Sequence, residues 1–431
     1  MKRIRVKELE KYIGKEVKVQ GFLHEIRNQS KVKFILLREL SGIIQCVSLP
    51  ESKTFEEVAK ISKESVIEIK GIVKKEKQAI SGIEIQIKEI SVLSTAEELP
   101  IQVVEKGKEA ALPLRLDYRW LDLRKPKKAL IFQIATTLEE AMREFWKKEE
   151  FIEIHSPKIM GVPSESGAEL FSLEYFGKTA YLAQSPQLYK QMAMSAGLEK
   201  IFEVGPVFRA NPSHTTRHDT EFTSIDMEIS FIDGVEDVMS MEERWLAHTI
   251  KKIKEVHGEE IEKVFGIKIE VPKVPFPRIT MKEAIKLLKG KGVVQEVDLD
   301  ALGEKKICEI VKEKYSHDFV FITEYPYSKR PFYHMKQSDK TLTKSFDLIW
   351  KGLEITTGAQ REHRLEILKE QALEKGLTLE PIKHYLDFFK YGCPPHGGCG
   401  VSSTRLLMQL LELTNVREAT FLPRDTERLT P

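Results

Sequence analysis

Five short runs rich in β-branched residues recur within the first hundred residues, several of them alternating apolar and polar side chains: VKVQGFLH (17–24), KFILLR (33–38), GIIQCVS (42–48), SVIEIKGIV (65–73) and GIEIQIKEI (82–90). A period of two places one side of each run in a core and leaves the other wet, which predicts half-buried β-strands. One stretch of helical spacing, TFEEVAKIS (54–62), interrupts them. Five strands with a single intervening helix over 1–100 predict an OB-type β-barrel, a common platform for single-stranded nucleic acid. An unrelated small barrel has the same pattern.

The pattern then changes. Residues 101–130 read as a linker, with Pro113 and the charged LRLDYRWLDLRKPKK. From 131 to 431, long helical stretches alternate with β-rich ones. IFQIATTLEEAMREFWKKEEFIEI shows helical spacing that runs into a short strand, and Pro157 breaks it. The expected fold is α+β: the barrel, then a catalytic domain on a mostly antiparallel sheet flanked by helices, with a helical insertion at about 235–320.

Composition narrows the partners only a little. A chain of 431 residues, 41% hydrophobic, has material for two or three cored domains. Its 68 Lys+Arg and 66 Asp+Glu nearly cancel, so a nucleic-acid surface would have to be local. Four cysteines are too few for a disulfide framework and fit a reducing interior. Cys393, His396 and Cys399 form at best half a metal site, because no second ligand cluster has metal spacing. The N-terminus is charged throughout and no run of 18 apolar residues occurs, so the protein is expected to be soluble and cytoplasmic.

Three constellations carry candidate chemistry. In FEVGPVFRANPSHTTRHDTEFTSIDMEIS (202–230), one strand ends at Arg209 and another returns through Phe222 to Asp226 and Glu228. Arg209 and Arg217 could face one ligand across this hairpin, their guanidinium forks suited to phosphate and Phe222 to a purine ring. A solvated surface hairpin is the plainer reading. In SFDLIWKGLEITTGAQREHR (345–364), Asp347 and Glu354 flank a turn at Gly352, with Arg361 beyond. Paired carboxylates near phosphate-binding arginines could hold Mg²⁺ against a nucleotide; a structural salt bridge is the alternative. In GCPPHGGCGVSSTRLLMQLLELTNVREATFLPRD (392–425), a glycine-rich strand end leads into a helix with Arg405 in its first turn. Gly397, Gly398 and Gly400 would permit close approach to a flat ligand, and Arg405 at the helix start suits a phosphate. Ordinary packing would also explain these glycines.

Together and in this order, the segments resemble the class II aminoacyl-tRNA synthetases, and specifically the archaeal-type aspartyl enzymes. IEIHSPKIM (152–160) resembles motif 1, which places Pro157 at a dimer interface. FRA…TTRHDTEFTSIDMEIS resembles motif 2, and GGCG…TRLL resembles motif 3. The resemblance extends from about residue 12 to the C-terminal NVREATFLPRDTERLTP.

Roles follow from that resemblance. AQSPQLYKQ (183–191) corresponds to the amino-acid pocket, with Ser185, Gln187 and Lys190 around the substrate and Lys190 on its side-chain carboxylate. Arg361 would add a bidentate grip, Asp226 would take the α-ammonium group, and Glu165 would close over it from a mobile loop. Arg209 would contact the α-phosphate of ATP and Phe222 would stack on adenine. Arg217 and Arg405 would hold the γ-phosphate, with His218 as a secondary contact and Asp347 with Glu354 on Mg²⁺. In the barrel, Phe34 and Arg27 would engage anticodon bases, and Gln45 matches the reader of the middle base. The implied partners are L-aspartate, tRNA-Asp and a second copy of the chain in a homodimer.

Departures from the family pattern bear on specificity. Asn211 stands where motif 2 has an acid, and Val401-Ser402-Ser403-Thr404 replaces the Gly-Leu-Gly-x-Glu start of motif 3. Both put the ATP contacts in question. His24 and Ile80 stand where enzymes restricted to tRNA-Asp carry Trp and Lys. They favour a relaxed form that also charges tRNA-Asn, which would require an amidotransferase to convert the product. An asparaginyl enzyme, a tRNA-binding paralogue without aminoacylation activity and a ligase for free aspartate are the competing readings.

Overall fold

In the computed structural model, residues 1–29, 32–104, 107–163, 169–212 and 215–431 are described, and the chain divides into two units, Met1–Leu130 and Ile131–Pro431. The strands of the first unit are β1 (Glu16–Gln29), β2 (Val32–Glu39), β3 (Gly42–Ser48), β4 (Val66–Lys75) and β5 (Ile83–Ser94), with α1 (Thr54–Val58) between β3 and β4. They close into a barrel in the order β1-β2-β3-β5-β4. The alternation read in the sequence is the reason: Val17, Val19 and Leu23, with Ile35, Leu37, Ile44 and Cys46, point into one apolar core. The stretch expected as a linker carries two short helices, α2 (Leu112–Asp117) and α3 (Arg119–Asp122). Asp122 is fully buried there and pairs with Arg115, Arg119 and Lys125 at 3.2, 2.9 and 2.9 Å. Charged residues of this stretch thus pair with one another inside the fold.

The long helix α4 (Pro126–Lys148) leads into the second unit and is followed by β6 (Ile152–Glu153), β7 (Ile159–Met160), β8 (Ser172–Tyr175) and β9 (Lys178–Leu182). Next come α5 (Gln187–Ser195), β10 (Lys200–Phe208), β11 (Glu221–Ser230) and α6 (Val235–Phe265). Then follow β12 (Arg278–Thr280), α7 (Met281–Gly290), α8 (Ala301–Tyr315), β13 (Phe319–Thr323), β14 (Ser345–Trp350) and β15 (Leu353–Gln360). The chain ends with α9 (Leu365–Glu374), α10 (Lys383–Lys390), β16 (His396–Ser402), α11 (Ser403–Leu410) and α12 (Val416–Ala419).

Eight of these strands form one sheet in the order β12-β13-β14-β15-β16-β11-β10-β6. It is antiparallel from β13 to β10, with parallel pairs only at its edges, β12 with β13 and β6 with β10. The stretch 235–320 carries α6, β12, α7 and α8, and it is no appendage. Helix α6 packs against β15 and β16 through an apolar stripe that buries Trp245, Leu246 and Ile253, and β12 joins the sheet edge through β13. Helical periodicity does not show whether the stripe is covered by its own hairpin or by a distant sheet. Among the described residues no helix is long and apolar enough to cross a membrane.

Candidate active site

The middle of the sheet, β15-β16-β11-β10, floors a cleft of about 310 Å³. Ser185, Gln187, Lys190, Asp226 and Arg361 line one end of it, and Arg209, Arg217, His218, Phe222, Glu354 and Arg405 also line it. Sequence positions more than 200 apart thus meet on one surface. Asp347 lies one strand farther out, and Glu165 falls outside the described residues.

The buried end is built on β11. Asp226 and Glu228 are two residues apart, so both side chains stand on the same face of the strand. Opposite them in register are Gly400 and Gly398 of β16. A Cβ on Gly398 would lie 2.1 Å from the Met227 carbonyl oxygen and 2.2 Å from Glu228 Oε2; one on Gly400 would lie 3.0 Å from Asp226 Oδ1. Gly398 and Gly400 thus clear space for the two acids, and Gly400 also lines the cleft.

Lys190, 1% exposed on α5, reaches Asp226 Oδ1 at 2.8 Å, Glu228 Oε2 at 3.4 Å and the Cys399 carbonyl at 3.2 Å. Burial works against its charge, but Asp226 and Glu228 outweigh it and hold the ammonium above its usual pKa. Ser224 donates to the other oxygen of Asp226. Arg361 donates through Nε and Nη2 to the two oxygens of Glu228, at 2.9 and 3.3 Å, and through Nη2 to the Gly398 carbonyl. The expected bidentate face of Arg361 is therefore occupied by a protein carboxylate. Its Nη1 lies 3.1 Å from His334 Nε2, a nitrogen that must accept because Arg can only donate. Burial and then Arg361 push His334 well below the usual pKa, so it stays neutral. Charge at this end balances, with two cations against two carboxylates.

At the other end, Arg209 closes the β10–β11 hairpin, its backbone N–H donating to the Thr220 carbonyl and its guanidinium 5.5 Å from the Phe222 ring centre. Arg405 stands in the first turn of α11, where Ser402 Oγ accepts its N–H as the helix cap. Ser403 Oγ donates to the Thr223 carbonyl on β11. The residues that depart from the family pattern thus cap and tether this helix. Burial holds Arg405 below its ordinary pKa, with Arg209 and Arg217 adding to the effect against Glu354. Burial and the same three arginines lower His218 to about 4, so it is a neutral imidazole at neutral pH. Arg209, Arg217 and Arg405 share one space with Glu354, and three guanidinium forks in one cleft suit the oxygens of an anionic ligand.

Asp347 pairs with Arg330 at 2.7 Å and leaves its buried Oδ1 without a hydrogen-bond partner. Glu354 accepts from Thr357, and burial followed by the nearby Asp347 raises its pKa. Two crowded hard-oxygen carboxylates, one with an orphan oxygen, fit a divalent cation shared with phosphate oxygens. Among the described residues no cluster of three or more His, Cys, Asp or Glu could hold a metal unaided. His396 is engaged on both nitrogens, with Gln191 at 3.0 Å and the Pro394 carbonyl at 2.8 Å.

From sequence alone Glu228 is named without a role, and Glu304, Tyr333, His334 and Thr357 are not singled out. The i, i+2 spacing from Asp226 could have found Glu228. Tyr333 and His334 come from an irregular segment between β13 and β14 and give no local signal.

On the barrel, Ile35 and Leu37 fill the core, so Phe34 faces outward, paired in register with Arg27 on β1 and Val47 on β3. Gln45 shares that outer surface and donates to Glu84 at 2.9 Å. His24 sits at the β1 bulge with its Nδ1 2.7 Å from Arg38 Nη1, while Glu64 accepts from Arg38 and Arg124. Ile80 is 71% exposed. Pro157 is exposed between β6 and β7.

Comparison with known proteins gives the family to which this sheet and cleft belong. Residues 111–426 match the class II tRNA synthetases (D, K and N), and 17–93 match the OB-fold nucleic acid binding domain. The chain belongs to the class II tRNA synthetases. It is 43% identical to an aspartate–tRNA(Asp/Asn) ligase of Aeropyrum pernix, over 98% of this chain and 97% of that one. It is 45% identical to an aspartate–tRNA(Asp) ligase of Pyrococcus abyssi, over 97% of each. In structure it superimposes with a TM-score of 0.93 on asparaginyl-tRNA synthetase from Pyrococcus horikoshii complexed with asparaginyl-adenylate, at 32% identity over all of both chains.

Proposed function

We propose that this chain is an aspartate–tRNA ligase: it activates L-aspartate with ATP to aspartyl-adenylate and transfers the aspartyl group to the 3′ end of tRNA-Asp and of tRNA-Asn. The observation that carries the reading is the convergence of Lys190 and Arg361 at the closed end of a cleft that also holds Arg209, Arg217 and Arg405. The substrate β-carboxylate meets Lys190 Nζ and the free side of Arg361 Nη1, Asp226 takes the α-ammonium, and Ser185 and Gln187 border the backbone. Lys190 and Arg361 can only donate, so both oxygens of a carboxylate find partners there while the NH2 of a carboxamide meets a donor, which favours aspartate over asparagine.

ATP lies with its adenine on Phe222 and its phosphates among Arg209, Arg217 and Arg405, with His218 as a neutral donor. Asp347 and Glu354 would hold Mg²⁺, which would neutralise charge on the phosphate oxygens. The substrate α-carboxylate oxygen attacks the α-phosphorus, and the bond to the pyrophosphate oxygen breaks. The terminal ribose hydroxyl then attacks the acyl carbon and AMP leaves. No protein nucleophile is needed, because positioning and fixed positive charge do the work. On the barrel, Phe34, Arg27, Gln45 and His24 meet the anticodon. The chain works as a cytoplasmic homodimer that meets its twin near Pro157. Relatives named for both tRNAs, together with His24 and Ile80, support relaxed tRNA choice and so a link to an amidotransferase.

Pyrophosphate exchange with each amino acid tests the first step, since stimulation by asparagine rather than aspartate reverses the assignment to an asparaginyl enzyme. Charging of each purified tRNA tests the second: failure on tRNA-Asn removes the relaxed reading, and failure on both leaves a tRNA-binding paralogue.

A further inference from the structure

Three residues of the cleft, Arg217, Glu354 and Arg405, close a ring of hydrogen bonds with Glu304. Glu304 Oε2, on α8, accepts from Arg217 Nη1 at 3.0 Å and from the Glu354 backbone N–H at 3.4 Å. Arg405 completes the ring, donating through Nε to the Arg217 carbonyl at 3.2 Å and through Nη1 to the Glu354 carbonyl at 3.1 Å. Three of the four belong to the hairpins and helix already assigned to the nucleotide. Glu304 comes from the helical stretch between β12 and β13, which no part of the reaction above uses.

The Arg217 side chain is 31% exposed and rides on the loop between β10 and β11, and among the described residues its guanidinium is held by Glu304. The Glu304 side chain is 12% exposed and is carried on a helix of 15 residues packed against β13, β14 and β15. A loop cation is thus held by a carboxylate on a rigid element. Burying part of that pair removes the competition of water that makes exposed ion pairs nearly worthless. A positioned cation binds an incoming polyphosphate with less ordering entropy to lose than a free one does.

We propose that Glu304 is a positioning residue for the nucleotide: it stations the Arg217 guanidinium at the phosphate end of the cleft before ATP arrives. It acts through Arg217 and touches no reacting atom. The proposal rests on the reading of the cleft as a nucleotide site and extends the machinery to α8.

The test is a four-member set made in the full chain: parent, Glu304→Gln, Arg217→Ala and the double variant. Mg–ATP binding is measured by titration calorimetry without amino acid, and KM and kcat by aspartate-dependent pyrophosphate exchange. Glu304→Gln should weaken ATP about five-fold in both Kd and KM, the scale of one partly buried ion pair, with kcat and the aspartate KM unchanged. On the Arg217→Ala background the same change should do nothing further. Should Glu304→Gln not fold, Glu304→Asp, which shortens the reach and keeps the charge, takes its place with the same expectation. Parent-like ATP binding in Glu304→Gln, or an equal loss with and without Arg217, overturns the proposal alone. A parent that binds no Mg–ATP overturns the nucleotide reading and the proposal with it.

Discussion

Lys190 and Arg361 share one oxygen: Glu228 Oε2 lies 3.4 Å from the Lys190 ammonium and 3.3 Å from Arg361 Nη2. All three side chains are almost fully buried. Each cation is held in place by an anion that belongs to the protein, so the pocket stays neutral and rigid when empty. Removing one partner of such a set leaves a buried charge uncompensated. Glu228→Gln should therefore lose about 3–5 kcal/mol of stability in urea denaturation. A variant as stable as the parent would mean that Glu228 is not the counter-ion of Lys190 and Arg361.

Gly398 is the position where β16 passes Glu228, and a single added methyl would meet both a backbone carbonyl and that carboxylate. Neither can retreat without breaking the β11–β16 ladder or the Arg361 pair. Gly398→Ala should cost about 3 kcal/mol or more, at the severe end for overpacking. Gly177→Ala, with open space around its Cβ in a surface turn at φ +76°, should cost only the backbone strain of about 1 kcal/mol. Equal melting temperatures for Gly398→Ala and the parent would show that the strands can separate to admit the methyl.

Glu242 lies fully buried on α6, and burial pushes its carboxyl up to about 8 despite the opposing pull of Thr356 and Cys399; Glu243 and Asp347 raise it further. Unfolded, it would titrate near 4.5. The native chain therefore holds a proton that the unfolded chain lacks between about pH 4.5 and 8. Stability falls as pH rises through that window, by about 1.4 kcal/mol per pH unit at most from this one group. Glu242→Gln lacks that slope. Its stability relative to the parent should rise between pH 5 and pH 8, as read from urea midpoints; a difference independent of pH would show that Glu242 is ionised in the fold.

Phe34 faces out of the barrel while its neighbours Ile35 and Leu37 fill it. Phe34→Ala should weaken tRNA binding by about 1–3 kcal/mol, the contribution of one stacked base. Pyrophosphate exchange, which needs no tRNA, should be unaffected. Loss of exchange, or tRNA affinity equal to the parent's, would remove Phe34 from the tRNA surface.

Much of this was legible in residue order. Alternation in 17–24 and 65–73 gave barrel strands because one face of each must be dry. The break at Gly352 gave the β14–β15 hairpin because the chain turns there at φ +82°, a conformation that favours glycine. Those signals are local and need only a few neighbours. The residues that resemble the synthetase motifs were legible for the same reason, being contiguous runs.

What the sequence could not say was which charges face each other. Arg361 carried a suitable guanidinium, but only the fold spends its fork on Glu228, 133 residues away. The glycines of β16 announced close approach, and only the register with β11 shows that the approaching groups are Glu228 and Asp226. Glu304 carries no local signal in the sequence, and packing brings it to Arg217, 87 residues earlier. Strand and helix formation depends on spacing within a segment, which the order of residues contains. Pairing of buried charges depends on distances between segments, and those exist only once the chain has closed on itself.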